Sequence, residues 1–121
     1  MAVDPIGTAL ADFLAAEDDG PVVMLNLLRF ADGGRERYAE YARAFRATFA
    51  PRYGVEVLYA GDGLPALVAE PGQQWDAVLV VRYPSRSAFS RMVADPEYQK
   101  ITGLRTAGLD GAVLQATVPW S

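Results

Sequence analysis

The sequence predicts an α+β fold in which strands and helices alternate in the order β-α-β-β-α-β, behind an extra N-terminal helix. Two segments, 21–30 and 75–83, are almost continuously apolar and too short for packed helices, which is typical of buried strands. Each is followed by a segment with apolar residues at helical spacing. This order is that of the ferredoxin-like fold. We expect one domain over residues 1–121, with a helical extension at 1–20 and the ferredoxin-like core at 21–118.

The first half of the chain reads as helix, strand and helix. Asp4-Pro5 has the N-cap carboxylate and first-turn proline of a helix start, and this helix should end by Asp18-Asp19-Gly20. Residues Pro21 to Phe30 form the first strand. The clearest helix runs from Gly34 to about Tyr53, with an apolar stripe of Tyr38, Tyr41, Phe45 and Phe49.

In the second half of the chain, the sequence predicts three strands and two further helical segments. Val55 to Gly61 is a short strand, and the loop 62–74 that follows has room for another at Ala66 to Ala69. Trp75 to Tyr83 is the second doubly apolar strand. Ser85 and Asp95-Pro96 begin helical segments that end near Gly108, and the last strand is Ala112 to Val118.

The two apolar strands are expected at the centre of the sheet as parallel neighbours, because parallel strands are covered on both faces. Helices on one side of a four-stranded sheet leave its other face bare, and monomers rarely expose a large apolar patch. Either the N-terminal helix covers part of that face, or a second copy packs against all of it. We favour the homodimer, in which two sheets close a barrel.

Composition excludes several kinds of chemistry. The chain has neither cysteine nor histidine, so disulfides, thiolate nucleophiles, Ser-His-Asp triads and His-ligated haem are impossible, and we expect no metal and no cofactor. The net charge of −4 disfavours nucleic acid and anionic membranes as partners. The N-terminus lacks the pattern of a signal peptide and the apolar runs are too short for a membrane helix, so we expect a cytoplasmic protein.

Several segments together resemble one uncharacterised family, domain of unknown function 1330 (DUF1330), within the dimeric α/β-barrel superfamily. They are PVVMLNLLRF, the aromatic helix after Gly33-Gly34, the segment 57–61, Trp75-Asp76, Tyr83-Pro84-Ser85 and the segment 95–99. The resemblance covers about Pro21 to Val118. It implies a ferredoxin-like subunit that dimerises through its sheets, and it implies no activity. Relatives in the superfamily include cofactor-free monooxygenases, haem-degrading monooxygenases and muconolactone isomerases, so fold does not carry function here.

Polar exceptions on the central strands are the candidate catalytic residues: Asn26, Arg82 and Asp76. Asn26 lies mid-strand, where a buried amide needs partners, and a purely structural hydrogen bond is the alternative. Arg82 and Arg29 lie at the ends of the two central strands. If these strands are parallel, the two side chains meet at one end of the sheet. There they either bind a carboxylate or form salt bridges with Glu36, Glu40 or Asp76. Asp76 is the candidate general base, with solvation at the strand edge as the alternative.

Arg29 and three tyrosines are the candidate ligand-binding residues. Tyr38 and Tyr41 lie on the face of the first long helix that meets the sheet, and Tyr83 ends the third strand. Their rings either fill the core or line a pocket with the hydroxyls directed inward.

Two functions follow as hypotheses. The first is a cofactor-independent monooxygenase or isomerase on a small aromatic or polyketide-like substrate, with Asn26, Arg82 and Tyr41 orienting the substrate and stabilising an oxyanion. The alternative is a non-catalytic or stress-related dimer that binds a small aromatic or acidic molecule.

Overall fold

The computed structural model describes residues 3–5, 7–15 and 20–120. Within these ranges, one four-stranded sheet carries helices on one side. The strands are β1 (Val22–Phe30), β2 (Glu56–Asp62), β3 (Ala77–Tyr83) and β4 (Leu109–Thr117). The helices are α1 (Gly7–Ala15), α2 (Gly34–Ala44), α3 (Ala50–Tyr53), α4 (Arg86–Ala94), α5 (Pro96–Gln99) and α6 (Thr102–Gly108). The predicted α+β, ferredoxin-like order of elements is confirmed.

The sheet order is β2-β3-β1-β4, so β1 and β3 are the central strands as predicted. The expectation that they run parallel is wrong: they pair antiparallel, with Val22 opposite Tyr83 and Leu28 opposite Ala77. The reason is topological. The helical crossover makes β1 and β2 run the same way, and the β2–β3 hairpin then reverses the chain. Parallel pairing therefore does not explain why β1 and β3 are apolar on both faces.

One face of the sheet packs against the helices and forms the core. Val22, Met24 and Leu28 of β1 alternate with residues that point to the other side, and Val81 and Tyr83 of β3 lie on the same inner face. The other side, which we call the open face, is outside the core cluster. Its apolar residues are Val23, Leu25, Leu27, Val78, Val80 and Val113, with Tyr59 beside Val80.

Helix α1 lies on the helix side of the sheet and leaves the open face uncovered. The Phe13 ring meets Phe89 of α4 edge-on at 5.7 Å, and Arg86 donates a hydrogen bond to the Phe13 carbonyl at 3.1 Å. The predicted start at Asp4-Pro5 is wrong, since both residues are non-helical and the Thr106 hydroxyl donates to Asp4 at 3.1 Å. The predicted end at Asp18-Asp19 lies outside the described residues.

The long second helix continues to Tyr53, but it contains a π-helical turn at Phe45–Phe49 that the sequence analysis did not predict. The Ala50 N–H bonds the Phe45 carbonyl five residues back, and the extra residue keeps Phe45, Phe49 and Ala50 all buried. Gly54, at φ 68°, ends the helix as predicted.

The loop between β2 and β3 does not contain the short strand predicted at Ala66 to Ala69. The Gln74 side chain holds the loop instead: its Oε1 accepts from the Ala66 N–H at 2.8 Å, and its Nε2 donates to the Leu64 carbonyl at 3.0 Å. These local bonds replace a strand ladder. Ser85 and Asp95 cap α4 and α5 as predicted, by accepting from the N–H groups of Ala88 and Glu97.

Candidate functional site: a tyrosine-lined cavity between sheet and helices

A cavity of about 320 Å³ lies between the inner face of the sheet and helices α4 to α6. A recess of about 40 Å³ adjoins it under α2. Both spaces are lined by Asn26, Tyr41, Tyr83 and Arg105, while Tyr98 lines the larger and Tyr38 the smaller. We call the two together the tyrosine cavity. Its size falls at the lower end of the range typical of small-molecule sites.

The sequence places these residues by simple spacing. Asn26 lies two residues beyond buried Met24, so it faces the helices, and Tyr83 lies on the same side of β3. Tyr38 and Tyr41 are three residues apart on α2 and therefore project from one helix face. Their rings lie 5.5 Å apart between centroids. Two strands and one helix thus converge on the cavity.

Helix α6 reaches the cavity because it crosses α2 at a pair of glycines. A Cβ on Gly34 would lie 2.2 Å from the Gly108 carbonyl oxygen, and one on Gly108 would lie 2.8 Å from the Gly34 oxygen. Neither position accepts a side chain without separating the backbones. This close crossing holds Arg105, three residues before Gly108, near the tyrosines of α2.

The four tyrosine hydroxyls are not equally satisfied. Those of Tyr41 and Tyr98 share a hydrogen bond of 2.7 Å. Among the described residues, no partner bonds the hydroxyls of Tyr38 or Tyr83, yet no fully buried side-chain oxygen lacks a partner. The two unbonded hydroxyls therefore open onto the cavity and can bind a ligand.

All four hydroxyls stay protonated at neutral pH. Burial raises the pKa of Tyr38 to about 12, and it also raises the pKa values of Tyr41, Tyr83 and Tyr98. The positive charge of Arg105 opposes this rise at Tyr38, Tyr83 and Tyr98 without cancelling it. The cavity consequently presents neutral O–H donors beside a cation.

Asn26 makes a structural hydrogen bond and also lies beside the cavity. Its Nδ2 donates to the Met24 carbonyl of its own strand at 3.3 Å, which is a structural bond. Its Oδ1 has no donor among the described residues, and Asn26 lines both parts of the tyrosine cavity. The amide is thus oriented by the strand and leaves an acceptor for a ligand.

Arg105 supplies the positive charge of the cavity. Its side chain is only 12% exposed, its Nη1 donates to the Val3 carbonyl at 2.5 Å, and the same atom lies 3.9 Å from Asp4 Oδ1. A guanidinium has five N–H donors, so these contacts use a minority of them. Asp4, itself 62% exposed, is the only carboxylate lining the cavity within the described part of the chain.

The two predicted arginines lie elsewhere. Because β1 and β3 are antiparallel, Arg29 and Arg82 lie at opposite ends of the sheet, and the expectation that they meet is wrong. Arg82 pairs with Glu56 across the open face at 3.3 Å. Arg29 stacks over the Trp75 ring at 4.7 Å and donates to the carbonyls of the β2–β3 loop. Neither lines the tyrosine cavity.

Asp76 closes the end of the central strand pair. Its Oδ2 accepts from the Phe30 N–H at 2.9 Å, and its own N–H donates to the Leu28 carbonyl at 2.8 Å. These bonds lie on the β3 side of β1, beside the point where the pairing of β1 with β4 shifts register at Arg29/Phe30. The carboxylate therefore has a structural partner and does not line the tyrosine cavity.

The structure thus brings together Asn26, Tyr38, Tyr41 and Tyr83 of the predicted residues, and it adds Tyr98 and Arg105. The sequence analysis named neither Tyr98 nor Arg105 as a candidate site residue. The available signal was the spacing of Tyr98, Thr102 and Arg105, which recur at three to four residues like one helix face. A break at Lys100–Ile101 between α5 and α6 obscures it.

Neither metal nor membrane insertion finds support in the described ranges. No group of three or more acidic, histidine or cysteine side chains is arranged to hold a metal ion there. Of the helices described, none has the length and apolar character needed to cross a bilayer.

The family model named "Domain of unknown function (DUF1330)" matches residues 27–117. The chain belongs to the DUF1330 family. Its DUF1330 fold is also that of RPA0582, a protein of unknown function from Rhodopseudomonas palustris, at 31% identity and a TM-score of 0.88, covering 98% of this chain and 97% of that one. A methylated form of RPA0582 matches at 32% identity and a TM-score of 0.89, covering 99% and 96%.

More distant solved structures share the fold alone. A dimeric ferredoxin-like protein of unknown function from Jannaschia sp. is 16% identical, with a TM-score of 0.62 and coverage of 83% of this chain and 100% of that one. A "Putative antibiotic biosynthesis monooxygenase" from Bacteroides thetaiotaomicron is 20% identical, with a TM-score of 0.61 and coverage of 84% and 91%. No curated protein matches the chain.

Proposed function

We propose that this DUF1330 protein binds a small aromatic or acidic molecule in the tyrosine cavity. The observation that carries the proposal is the set of unused polar groups there: the hydroxyls of Tyr38 and Tyr83, Asn26 Oδ1 and the remaining N–H groups of Arg105. Together they offer donors, one acceptor and a positive charge among aromatic rings. That combination suits a carboxylate, phenolate or enolate attached to a ring.

Calorimetric or NMR titration with benzoate and 4-hydroxybenzoate tests the proposal. We expect saturable binding that Arg105→Met weakens by tenfold or more, since a hydrogen bond to a charged group contributes about 1.5–3 kcal/mol. Tyr83→Phe should weaken it by a smaller factor. Arg37→Met is the matched control, because Arg37 is exposed on α2 and does not line the cavity.

Two results would contradict this function. One is the absence of binding by both benzoate and 4-hydroxybenzoate. The other is equal affinity in wild type, Arg105→Met and Arg37→Met, which would place any bound ligand outside the tyrosine cavity.

Catalysis is the second candidate function, as a cofactor-independent monooxygenase or isomerase. The grouping of neutral hydroxyls with a guanidinium favours it, because such groups stabilise an enolate that forms during proton abstraction. In this hypothesis Asp4, a carboxylate that lines the cavity, would accept the proton. The distant neighbour described as an antibiotic biosynthesis monooxygenase supports the monooxygenase alternative by its name alone. Turnover of quinols or lactones that Asp4→Asn abolishes would support catalysis, and binding without turnover would exclude it for those substrates.

We further propose a homodimer formed through the open face. Helix α1 lies on the opposite side of the sheet, so the described residues offer no cover for Val23, Leu25, Leu27, Val78, Val80 and Val113. A second copy would bury this patch by packing sheet against sheet. The Jannaschia neighbour, described as dimeric, supports the idea by fold alone.

Sedimentation velocity at micromolar concentration tests the dimer. Leu25→Asp places a charge in the centre of the open face and should give monomers. Arg37→Asp, on the exposed surface of α2, introduces the same side chain and should leave the dimer intact. A wild-type monomer would overturn the proposal, as would a Leu25→Asp protein that is folded and still dimeric.

A further inference from the structure

We propose that the ligand is amphipathic, with an acidic or phenolic head in the tyrosine cavity and an apolar tail in a second cavity beneath α1. The proposal rests on the proposed binding function and names the ligand class. A second cavity of about 400 Å³ lies between α1 and the strands β1 and β4. We call it the tail cavity.

The walls of the tail cavity are mostly apolar, and Gln115 is the uncharged polar residue that the described part of the chain adds to them. Helix α1 contributes Ala9, Leu10 and Phe13, and the inner face of the sheet contributes Met24 and Ala116. The charged residues that line it are Asp4 and Arg105. Away from Asp4, Arg105 and Gln115, the lining favours hydrocarbon over water.

The tail cavity and the tyrosine cavity are adjacent. They share Asp4, Pro5, Phe89, Arg105 and Leu114 as lining residues. Arg105 therefore lies at the junction, with polar hydroxyls on one side and apolar side chains on the other. A ligand whose anionic group contacts Arg105 would have its two ends in environments of opposite polarity, which defines its orientation.

Helix α1 lines one side of the tail cavity, and its side chains do not fill the space. None of the residues of α1 is fully buried, and Leu10 and Phe13 only partly so, although both point towards the core. Protein interiors have few voids larger than a water molecule. The space under α1 is partly open to solvent, and a mostly apolar cleft of this size with a charged end is typical of a small-molecule site.

Titration with a homologous series tests the tail cavity: benzoate, then 4-alkylbenzoates from methyl to hexyl. We expect Kd to fall about fourfold for each added methylene until the cavity is full, from the transfer free energy of buried hydrocarbon. A polar tail of equal length, such as a 4-(methoxyethoxy) group, should lose this gain.

Two variants locate the tail. Ala9→Trp fills the cavity from α1 and Ala116→Phe fills it from the sheet, so each should abolish the dependence on chain length. Ala11→Trp is the matched control, since Ala11 is exposed on the same helix and does not line the cavity; it should behave as wild type.

The outcomes separate this inference from the function on which it rests. Benzoate binding with no gain from alkyl chains would overturn the tail cavity and leave the proposed function standing. Failure of every member to bind would overturn both. A chain-length dependence that survives in Ala9→Trp and Ala116→Phe would place the tail elsewhere and also overturn the inference.

Discussion

The hydroxyl oxygens of Tyr41 and Tyr98 lie 2.7 Å apart, joining helix α2 to helix α5 across the cavity wall. Burial raises the pKa of both side chains, so both remain neutral and one donates to the other. The bond fixes the two rings, whose centroids are 6.2 Å apart, and leaves the hydroxyls of Tyr38 and Tyr83 for other partners.

A double-mutant cycle should detect this bond. Tyr41→Phe and Tyr98→Phe each leave the other hydroxyl without its partner and should lower the free energy of unfolding by about 1–3 kcal/mol. The double variant removes both groups, so it should lose less than the two single losses combined. Urea denaturation measures all three values. Strict additivity would mean that the hydroxyls do not interact.

The raised tyrosine pKa values predict alkaline instability. A tyrosine whose pKa is raised by folding ionises first in the unfolded chain, so its stabilising effect is complete below about pH 10 and declines as the pH rises. For Tyr38 the decline should run from pH 10 to about 12. Within that window, each such tyrosine lowers the free energy of unfolding by about 1.4 kcal/mol per pH unit.

Thermal melts between pH 8 and 11, with tyrosinate absorbance as a second probe, measure the effect. Tyr38→Phe should show a shallower decline than wild type, because it removes one of the groups whose pKa is raised by burial. Ionisation of all tyrosines near pH 10 in the folded protein would contradict the prediction.

The glycine crossing of α2 and α6 should tolerate no side chain. Gly34→Ala would place a methyl group 2.2 Å from a backbone oxygen, so we expect a loss of several kcal/mol or failure to fold. Gly103→Ala is the control within α6: its Cβ meets nothing within 4 Å, and it should stabilise the protein by about 0.5–1 kcal/mol. Equal effects of the two substitutions in urea denaturation would refute the steric argument.

Asp76 should matter for stability and be dispensable for ligand binding. Asp76→Ala leaves the Phe30 N–H without its acceptor and should cost about 1–3 kcal/mol, while Asp76→Asn keeps an oxygen there and should cost less. Both variants should bind benzoate like wild type, as judged by titration. A selective loss of turnover or affinity in Asp76→Asn would instead support the general-base role suggested by the sequence.

The sequence was most informative where periodicity alone decides the structure. The apolar runs identified β1 and β3 as central strands, and the aromatic stripe of α2 placed Tyr38 and Tyr41 towards the sheet. Strand direction was predicted wrongly because apolarity on both faces was attributed to parallel pairing. An antiparallel sheet shows the same pattern when its second face is also apolar, as the open face is here, whereas a solvated second face would carry polar residues.

Arg105 shows why the rest of the site was not predictable. Its spacing from Tyr98 and Thr102 suggests a shared helix face, but nothing local shows that this face is buried while Arg37 stays exposed. Its burial depends on the glycine crossing with α2 and on the backbone carbonyl of Val3, which is 102 residues away in sequence. Contacts between residues so far apart leave no signal in the spacing of a single chain.

The tether between Arg105 and the N-terminal segment links two events that are otherwise separate. The Arg105 guanidinium that would bind a ligand also donates to the Val3 carbonyl. The hydroxyl of Thr106, the next residue, donates to Asp4. Ligand binding in the cavity and docking of α1 would then be coupled, and one coupling free energy would describe the effect of each on the other. By thermodynamic reciprocity, a ligand that strengthens the docking of α1 is bound more tightly when α1 is docked. Slower amide exchange in α1 on ligand addition would report that coupling directly.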